Sequence, residues 1–443
     1  MNIRIEPLSQ MTGTPRKPLS AILLPADKSI SHRGLIFGAL ASGTTRISGL
    51  LRAGDVQSTQ RCLSQLGVGI ETQGTLTLVH GKKFIPPLAP LDCGNSGTTL
   101  RLLMGILAGE CFSSELIGDS SLSARPMGRI AVPLRRMGAE IYLKDENYSP
   151  VQIKGLTHGV RLKALNYALP IGSAQLKSAL LFAGLQAEGT TRISGKIQSR
   201  DHTERMLKHF GAQLNYSFGE GPDPQEISIC GGQRLIGADL KVPKDPSSAA
   251  YWVALSLLSS NIKVELKEIL LNSFRIGFLA ALKRMGAQIE TEIQECSETS
   301  EPVGTLLSEP SPLQGTGIAP EEISSLIDEI PLIAVVGAFA EGTTEIRGAA
   351  ELRVKESDRI EATATNLRKM GVDVETFSDG MKIYGKGKRG PKGAKLSSYG
   401  DHRIAMSFAI AGMMANGPTE IENCECVSIS YPDFFETLKR IYL

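Results

Sequence analysis

Helical and strand patterns alternate along the chain, and glycine-containing phrases mark where one pattern gives way to the next. Amphipathic helical segments end at phrases such as Arg136–Ala139 (RMGA), Arg284–Ala287 (RMGA) and Lys369–Val372 (KMGV), and an alternating strand such as Val372–Glu375 follows. Glycine after the last helical turn is the expected C-terminal cap. The pattern predicts small α/β units in which each such helix leads into a strand.

A second phrase recurs with little change and indicates that these units are copies of one module. Ser42–Gly49 (SGTTRISG) returns as Glu188–Gly195 (EGTTRISG) and Glu341–Gly348 (EGTTEIRG), with weaker copies at Asn416–Asn423, Glu110–Gly118 and Asn261–Lys267. The phrase is typical of a turn into a short strand. The period of roughly 65–80 residues is longer than solenoid repeats, so each module should have its own sheet. Six modules fit two domains of three, with a boundary near Lys241–Asp245.

Composition and charge exclude several classes of protein. The chain has 443 residues, 42% hydrophobic and 21% charged, which fits two globular domains. The net charge of +2 argues against nucleic acid as a partner. The apolar runs Ile330–Ala340 and Ile404–Ala415 are too short to span a bilayer and read as buried elements. Seven scattered cysteines and an N-terminus without a signal-peptide core favour a cytoplasmic protein with reduced thiols.

Two segments are expected at the surface. Glu292–Pro312 is rich in Ser, Glu and Pro, and we interpret it as an exposed loop or insertion. Lys382–Lys395 is a run of Lys and Gly, for which a basic hairpin tip is a better interpretation than a nucleic-acid patch.

Positive charge stands at five expected helix starts, where the helix macrodipole prefers negative charge. The segments are Asp27–Arg33, Asn95–Arg101, Ser199–His202, Lys355–Arg359 and Asp401–Arg403. Unpaired backbone N–H groups point the same way, so an anion at each start would explain the pattern. Five such places predict a substrate with several anionic groups, or two anionic substrates.

Four polar segments could form an anion site. In the first, Ser29 and Ser31 can cap a helix while Lys28 and Arg33 bind carboxylate or phosphate, although a capped helix with solvated cations explains the segment equally well. Around Gly97, the sequence Leu91–Arg101 permits close backbone approach but lacks the ending of a P-loop.

Arg125 stands directly before a proline expected to start a helix, where a surface arginine is the simpler interpretation. Ser173 and Gln175 begin another polar helix start and could bind hydroxyls or phosphate, or merely cap the helix.

Two segments could supply acid–base chemistry. Asp328 lies against an apolar run, where a carboxylate can serve as a general base, or simply cap a helix. Lys355 and Arg359 are expected to converge on one helix face at i, i+4 spacing. Glu356 beside them could exchange a proton with a reacting atom, although a salt-bridged helix start is the plainer alternative.

Taken together, these motifs resemble the 5-enolpyruvylshikimate-3-phosphate synthases (EPSP synthases), shikimate-pathway enzymes inhibited by glyphosate. The resemblance covers essentially the whole chain. It rests on Asp27–Arg33, Gly94–Thr98, Arg125–Pro126, Ser173–Gln175, Arg200–His202, Asp328–Glu329, Leu352–Arg359 and Asp401–Met406. It implies a two-domain inside-out α/β barrel, each domain being three βαβαββ repeats with buried helices. It also implies one domain over residues 26–242 on the shikimate 3-phosphate side and a discontinuous domain over 1–25 and 243–443, with the active site in the cleft between them.

The resemblance implies transfer of the enolpyruvyl group of phosphoenolpyruvate to the 5-hydroxyl of shikimate 3-phosphate by addition and elimination, in the synthesis of chorismate and aromatic amino acids. The implied catalytic residues are Asp328, Glu356 and Lys28. Those implied for shikimate 3-phosphate are Lys28, Ser29, Arg33, Ser173, Ala174, Gln175, Arg200, Asp328 and Lys355. Those implied for phosphoenolpyruvate are Lys28, Gly97, Arg125, Gln175, Arg359 and Arg403. No metal or organic cofactor is implied, no nucleic acid or membrane partner is expected, and we expect a monomer with glyphosate as a competitive inhibitor.

Two alternatives compete with this prediction. The sister enzymes that transfer enolpyruvyl to UDP-N-acetylglucosamine carry an early Lys-Asn pair and usually a cysteine in the loop matching Gly118–Arg125, whereas this chain has Lys28-Ser29 and no cysteine in that loop. A six-module ring like a DNA clamp would need cations facing a central hole. Here the cations stand at helix starts beside acids such as Asp328 and Glu356.

The sequence departs from the family pattern near the C-terminus. Many members carry a lysine directly before a Thr-Phe-Pro-Asp-like segment, and here Ile429 precedes Ser430–Asp433. One phosphate contact is therefore absent or supplied elsewhere. The Ser-Ala-Gln and Arg-Asp-His-Thr-Glu segments resemble the branch that often tolerates glyphosate, but that branch often has alanine where Gly97 stands, so the prediction of tolerance is divided.

Overall fold

The computed structural model describes residues 1–8, 22–219, 221, 223–296 and 299–441. The chain forms two compact units. The central unit comprises Ala26–Val242 together with Ser297–Glu301, and the terminal unit comprises Met1–Pro25, Pro243–Cys296 and Pro302–Leu443.

The chain begins with strand β1 (Ile3–Ile5) of the terminal unit and then enters the central unit. The helices of the central unit are α1 (Lys28–Leu40), α2 (Gly54–Gln65), α3 (Gly97–Leu107), α4 (Ser120–Ser123), α5 (Gly128–Arg136), α6 (Ala174–Gln186) and α7 (His202–His209). Its strands are β2 (Gly43–Ser48), β3 (Gly69–Gln73), β4 (Leu76–Gly81), β5 (Leu91–Asp92), β6 (Ser114–Ile117), β7 (Glu140–Lys144), β8 (Tyr148–Lys154), β9 (Asn166–Leu169), β10 (Thr190–Gly195), β11 (Leu214–Phe218), β12 (Pro224–Cys230) and β13 (Asp239–Lys241).

Three four-stranded sheets form the central unit, in the orders β13-β2-β4-β3, β5-β6-β8-β7 and β11-β12-β10-β9. Each has one parallel pair and two antiparallel pairs. Two modules, β5 to β8 and β9 to β12, follow the βαβαββ order along the chain. The first module lacks an initial strand of its own, and β13 at the end of the unit supplies it in parallel with β2.

The helices α1, α3 and α6 are buried almost along their whole length. They lack a polar stripe because no side of them faces solvent. The ring of Phe37 in α1 lies 5.2 Å from that of Phe182 in α6 and 5.2 Å from that of Phe210, so aromatic packing joins these helices. The sheets therefore surround a core made of helices.

The terminal unit repeats this plan. Its helices are α8 (Pro246–Leu258), α9 (Gly277–Arg284), α10 (Ile323–Leu326), α11 (Ile330–Phe339), α12 (Arg359–Lys369), α13 (His402–Met414) and α14 (Phe434–Arg440). Its strands after β1 are β14 (Val264–Leu270), β15 (Gln288–Glu295), β16 (Val303–Glu309), β17 (Gly317–Ile318), β18 (Thr343–Ile346), β19 (Asp373–Phe377), β20 (Gly380–Tyr384), β21 (Lys395–Ser397) and β22 (Thr419–Glu422). The sheet orders are β14-β16-β15, β17-β18-β20-β19 and β1-β22-β21, and the buried helices are α8, α11 and α13.

These observations confirm the predicted α/β class with three repeated modules around buried helices in each unit. The apolar runs Ile330–Ala340 and Ile404–Ala415 form the buried helices α11 and α13, as predicted. Among the described residues, no helix is both long enough and apolar enough to cross a membrane.

Both predictions about surface segments are wrong. Within Glu292–Pro312, residues 292–295 and 303–309 belong to the antiparallel strands β15 and β16, while residues 297 and 298 lie outside the described part. The connection between these strands belongs to the central unit, where Glu301 Oε1 lies 2.7 Å from His202 Nδ1. Lys382–Lys395 is not a hairpin tip, because β20 and β21 belong to different sheets and a 3₁₀ turn, Gly387–Arg389, lies between them.

Candidate active site

The starts of three buried helices come together in the central unit. Each begins at a side chain that accepts a backbone N–H: Asp27 from Ile30, Ser96 from Thr99 and Ser173 from Leu176. The predicted capping role of Ser29 and Ser31 is therefore wrong, since Asp27 precedes them and is the better-placed acceptor. The hydroxyl of Ser31 instead accepts from the backbone N–H of Leu51.

Two cations of the first helix start are fixed by neighbours. Lys28 Nζ lies 3.0 Å from Asp55 Oδ2, and both side chains are mostly buried. Arg33 is 3% exposed and donates to the hydroxyls of Thr203 and Ser178 at 2.7 and 3.0 Å. Burial lowers the pKa of Arg33 to about 10, because the charged guanidinium has lost its water. Ser29 lies at this same start, and its carbonyl accepts from Arg33.

Gly97 begins α3 and lies against two arginines. A Cβ at this position would lie 3.1 Å from Arg101 Nη1 and 3.5 Å from Arg125 Nη1. The Arg125 guanidinium is held by Asn95 Oδ1 at 2.8 Å. Arg125 is 6% exposed, so the simpler interpretation of a surface arginine is wrong. The prediction that Pro126 starts a helix is also wrong, because α5 begins two residues later, at Gly128.

Gln175 links the starts of α6 and α3. Its Oε1 accepts from Arg101 Nη1 at 2.8 Å, and its Nε2 donates to Thr98 Oγ1 at 3.0 Å. Ser173 caps α6 and Ala174 is its first residue, so all three predicted residues of this segment lie at one helix start. Arg101 also donates to the carbonyl of Pro126. Sequence reasoning placed Arg101 among the misplaced charges but assigned it no role.

Arg200 lies two residues before α7 and is half-buried. The predicted helix start lies here, and its first turn also carries an acid, Glu204. That carboxylate is itself buried and pairs with Lys177 of α6 at 2.6 Å.

In the terminal unit, one buried arginine gathers three carboxylates. Arg359 is 1% exposed, and its guanidinium nitrogens lie 2.8 Å from Asp401 Oδ2, 2.7 Å from Glu356 Oε2 and 3.2 Å from Asp328 Oδ1. Burial alone would lower the pKa of Arg359, but the carboxylates of Asp401, Glu356 and Asp328 together raise it. The arrangement places two potential proton carriers, Asp328 and Glu356, on one fixed cation.

Arg403 stands beside a second buried carboxylate. Arg403 follows Asp401, which caps α13, and its Nη1 lies 3.7 Å from Glu329 Oε1. Burial raises the pKa of the Glu329 carboxyl, and the positive charge of Arg403 opposes that rise. Burial would lower the pKa of Arg403, whereas Tyr251, Asp328 and Glu329 raise it. Sequence reasoning missed the supporting roles of Glu329 and Asp401, which only their burial beside these arginines reveals.

The predicted convergence of Lys355 and Arg359 on one helix face is wrong. The helix α12 begins only at Arg359, with Asp358 as its cap, and Lys355 lies in the preceding turn. A cap competes with helix continuation, and the Asp358 carboxylate accepts from the backbone N–H of Glu361.

Comparison with known proteins identifies the family to which this chain belongs. The sequence profile of the family described as EPSP synthase (3-phosphoshikimate 1-carboxyvinyltransferase) matches residues 14–438. This chain belongs to the EPSP synthase family. A 3-phosphoshikimate 1-carboxyvinyltransferase of Bacillus pumilus is 46% identical over 429 residues, which cover 96% of this chain and 97% of that protein. The protein of the same name from Bacillus subtilis (strain 168) is 45% identical over 424 residues, covering 95% and 96%.

Solved structures agree with this assignment to the EPSP synthase family. The EPSP synthase from Acinetobacter baumannii superposes with a TM-score of 0.83 at 39% identity, covering 99% of this chain and 98% of that one. The enolpyruvyl transferase NikO from Streptomyces tendae has a TM-score of 0.76 at 18% identity, which shows a shared fold alone. The predicted family, its transferase class and its fold are confirmed, and the prediction is favoured over the UDP-N-acetylglucosamine alternative.

Proposed function

We propose that this chain transfers the enolpyruvyl group of phosphoenolpyruvate to the 5-hydroxyl of shikimate 3-phosphate. The observation that carries the proposal is the Arg359 cluster, in which Asp328 and Glu356 share one buried guanidinium. Proton transfer at an oxygen and at a carbon needs two positioned groups, and the fixed cation keeps both close to where negative charge must be stabilised. The EPSP synthase profile, which matches residues 14–438, spans this cluster and the helix starts of the central unit.

The shikimate 3-phosphate side of the proposal rests mainly on the central unit. Ser29, Arg33 and Arg200 supply hydroxyl and guanidinium donors, and the start of α6 supplies Ser173, Ala174 and Gln175. Lys28, and Asp328 and Lys355 of the terminal unit, complete the set. Arg33 is already bound to Thr203 and Ser178, so its guanidinium needs little rearrangement when a ligand arrives.

The phosphoenolpyruvate side draws on cations of both units. Gly97 lies at the start of α3, a favourable place for an anion, with Arg125 beside it. Gln175 is hydrogen-bonded to Thr98 and Arg101 of the same helix, and Lys28 begins α1. Arg359 and Arg403 supply further positive charge. For the reaction to proceed, the residues proposed for shikimate 3-phosphate and those proposed for phosphoenolpyruvate must hold both substrates at the same time. Their location in the cleft between the two domains stays a prediction.

The proposed chemistry is an addition followed by an elimination. Asp328 accepts the proton of the 5-hydroxyl while the hydroxyl oxygen bonds to C2 of phosphoenolpyruvate. Glu356, helped by Lys28, protonates the methylene carbon. The tetrahedral intermediate then returns a proton from its new methyl group to Glu356, and the C2–O bond to phosphate breaks. The products are 5-enolpyruvylshikimate 3-phosphate and inorganic phosphate.

Three finer predictions belong to this proposal. Glyphosate is expected to compete with phosphoenolpyruvate, the chain is expected to act as a monomer, and a cytoplasmic location stays a prediction. The residue that replaces the usual C-terminal lysine is unassigned, since Ile429 is an uncharged, half-buried residue that ends a 3₁₀ turn.

Phosphate release with alternative acceptors tests the proposal. The purified protein is mixed with phosphoenolpyruvate and either shikimate 3-phosphate or UDP-N-acetylglucosamine. We expect release that depends on shikimate 3-phosphate. Turnover with UDP-N-acetylglucosamine alone, or with neither acceptor, would overturn the assignment.

A further inference from the structure

One buried lysine holds the segment that carries Arg200. Lys177 of α6 is 1% exposed. Its Nζ donates to the carbonyl oxygens of Ile197 and Ser199, both at 3.0 Å, and lies 2.6 Å from Oε1 of Glu204 in α7. The ammonium thus makes two hydrogen bonds to backbone carbonyls and one ion pair with a buried carboxylate.

Stability alone does not explain an ammonium in this place. Burying a charge is costly, and an apolar residue of similar size is often as stabilising as a buried ion pair. The ammonium holds two backbone carbonyls by hydrogen bonds and a carboxylate by charge attraction from one point. Residues 196–201 have no helix or strand hydrogen-bonding pattern. Hydrogen bonds from Lys196 to Leu169 and from Gln198 to Pro224 hold part of this segment, and the Lys177 contacts hold the carbonyls nearest Arg200.

The start of the same helix carries three of the other residues proposed for shikimate 3-phosphate, Ser173, Ala174 and Gln175. Lys177 lies in the first turns of α6, just after Ser173 and Gln175. A second connection runs beside it, because the hydroxyls of Ser178 and Thr203 lie 2.6 Å apart. The start of α6, the segment 196–201 and the start of α7 are thereby joined into one hydrogen-bonded block.

We propose that Lys177 is a positioning residue for shikimate 3-phosphate, which fixes the segment 196–201 on α6 so that Arg200 and Ser173 are in place before the substrate binds. Glu204 balances the buried charge of Lys177 and connects the block to α7. This inference rests on the proposed function, because it concerns the binding of that substrate.

The first experiment separates positioning from stability. Lys177→Met removes the two hydrogen bonds and the ion pair, while Leu181→Ala removes apolar packing one turn further along α6. Because small misplacements of binding groups are costly, we expect Lys177→Met to raise the KM for shikimate 3-phosphate by about tenfold or more. The KM for phosphoenolpyruvate should stay within about threefold, and Leu181→Ala should move neither constant while lowering Tm. An unchanged KM for shikimate 3-phosphate, or an equal rise in both constants, would overturn the proposal.

Two further variants, Glu204→Gln alone and Lys177→Met with Glu204→Gln, separate the effect on substrate binding from the effect on stability. Glu204→Gln keeps the two carbonyl contacts of Lys177 but leaves its charge uncompensated, so Tm should fall while the KM for shikimate 3-phosphate changes little. Lys177→Met with Glu204→Gln removes both charges, so Tm should recover relative to Glu204→Gln while that KM stays high. A double variant with the parent KM would show that the pair acts only on stability.

A measurement on the unsubstituted protein keeps the proposal testable if Lys177→Met does not fold. Hydrogen exchange should show residues 196–200 protected without ligand, with little further protection from shikimate 3-phosphate. Protection that appears only with the ligand would contradict prior positioning. Absence of turnover by the parent protein would overturn the proposed function, whereas normal parent turnover with an unaltered variant KM would overturn only the role of Lys177.

Discussion

At the scale of single residues, the charged groups of both units are held by protein neighbours. Arg33 donates to two hydroxyls, Arg101 to Gln175 and a carbonyl, and Arg359 to three carboxylates. Donors fixed in advance stabilise developing charge without the cost of reorganising during the reaction. The proposed chemistry therefore depends on groups that stand in place, and removing one of them should affect turnover directly.

Removal of either proposed proton carrier tests the acid–base assignment. Asp328→Ala or Glu356→Ala should lower kcat by roughly 10²–10⁴-fold, the usual size of a general acid–base contribution. Asp358→Ala is the matched control, because Asp358 caps α12 in the same segment without contacting Arg359 through any described hydrogen bond. The control should lose about 1 kcal/mol of stability and keep its kcat. A near-normal kcat in Asp328→Ala or Glu356→Ala would remove that residue from its role.

Gly97→Ala tests how much free space there is beside the residues proposed to bind phosphoenolpyruvate. The added methyl would lie 3.1 Å from Arg101 Nη1, and Arg101 cannot give way easily because Gln175 and the Pro126 carbonyl hold it. Glyphosate is longer than phosphoenolpyruvate, so we expect its Ki to rise by about tenfold, or about 1.4 kcal/mol, and the KM for phosphoenolpyruvate to rise less. Steady-state inhibition measures both, and equal losses would refute the crowding argument.

His32 should make stability depend on pH in a defined direction. Its Nδ1 lies 2.7 Å from Thr59 Oγ1, and burial with the charges of Lys28 and Arg33 lowers its pKa well below 6.5. The unfolded chain therefore takes up this proton first as the pH falls. The stability that neutral His32 provides is present above pH 6.5 and is lost as the pH falls below it.

The matched variant for this prediction is His32→Asn. Between about pH 7.5 and about pH 5, the Tm of the parent should fall toward, or below, that of His32→Asn, because only the parent gains a proton at this site on unfolding. Glu204 and Glu329, whose raised pKa values act in the opposite direction, are common to both proteins and cancel in the difference. A constant Tm difference across this range would contradict the assignment.

At the scale of elements, the burial of the helices explains why their polar first turns can form binding sites for anions. Along α6 the residues from Leu176 to Leu185 are buried, while its cap and first residues stay partly accessible. The backbone N–H groups at such a start need acceptors, which the cap supplies only in part. An anionic ligand can use the remaining donors, and this accounts for cations gathered at the same ends.

Close packing of α3 against α6 predicts that Gly105 cannot be replaced by a larger residue without loss of stability. A Cβ at Gly105 of α3 would press on the backbone of Ala179 in α6, 2.7 Å from its Cα. Gly105→Ala should therefore cost about 1–3 kcal/mol, as overpacking does. Gly54→Ala is the control, because nothing lies within 4 Å of a Cβ there. Thermal unfolding compares the two, and a Gly105→Ala protein as stable as Gly54→Ala would show that the helices can separate freely.

Local patterns predicted most elements but not their partners. The glycine-ended phrases identified repeated α/β modules, since turn and cap chemistry acts over a few residues. They could not show that β13 completes the sheet of β2, or that β1 pairs with β22, because these pairings join distant segments. Local cues also misplaced the start of α12, where the Asp358 cap excluded Lys355 from the helix.

At the scale of the molecule, each unit repeats one plan, with three modules around buried helices. The resemblance supplied the family and the site residues, and the family is confirmed. Sequence reasoning did not find the inner contacts of Arg101, Glu329 and Lys177. Their importance lies in burial and in partners from other helices, which no local pattern contains.

The central claim is enolpyruvyl transfer to shikimate 3-phosphate, and phosphorus NMR of the complete reaction tests it most directly. The signal of phosphoenolpyruvate should disappear while inorganic phosphate appears in equal amount. A new 3-phosphate signal should replace that of shikimate 3-phosphate in the same proportion. Loss of phosphoenolpyruvate without a change in the acceptor signal, or no reaction with an intact fold, would contradict the account.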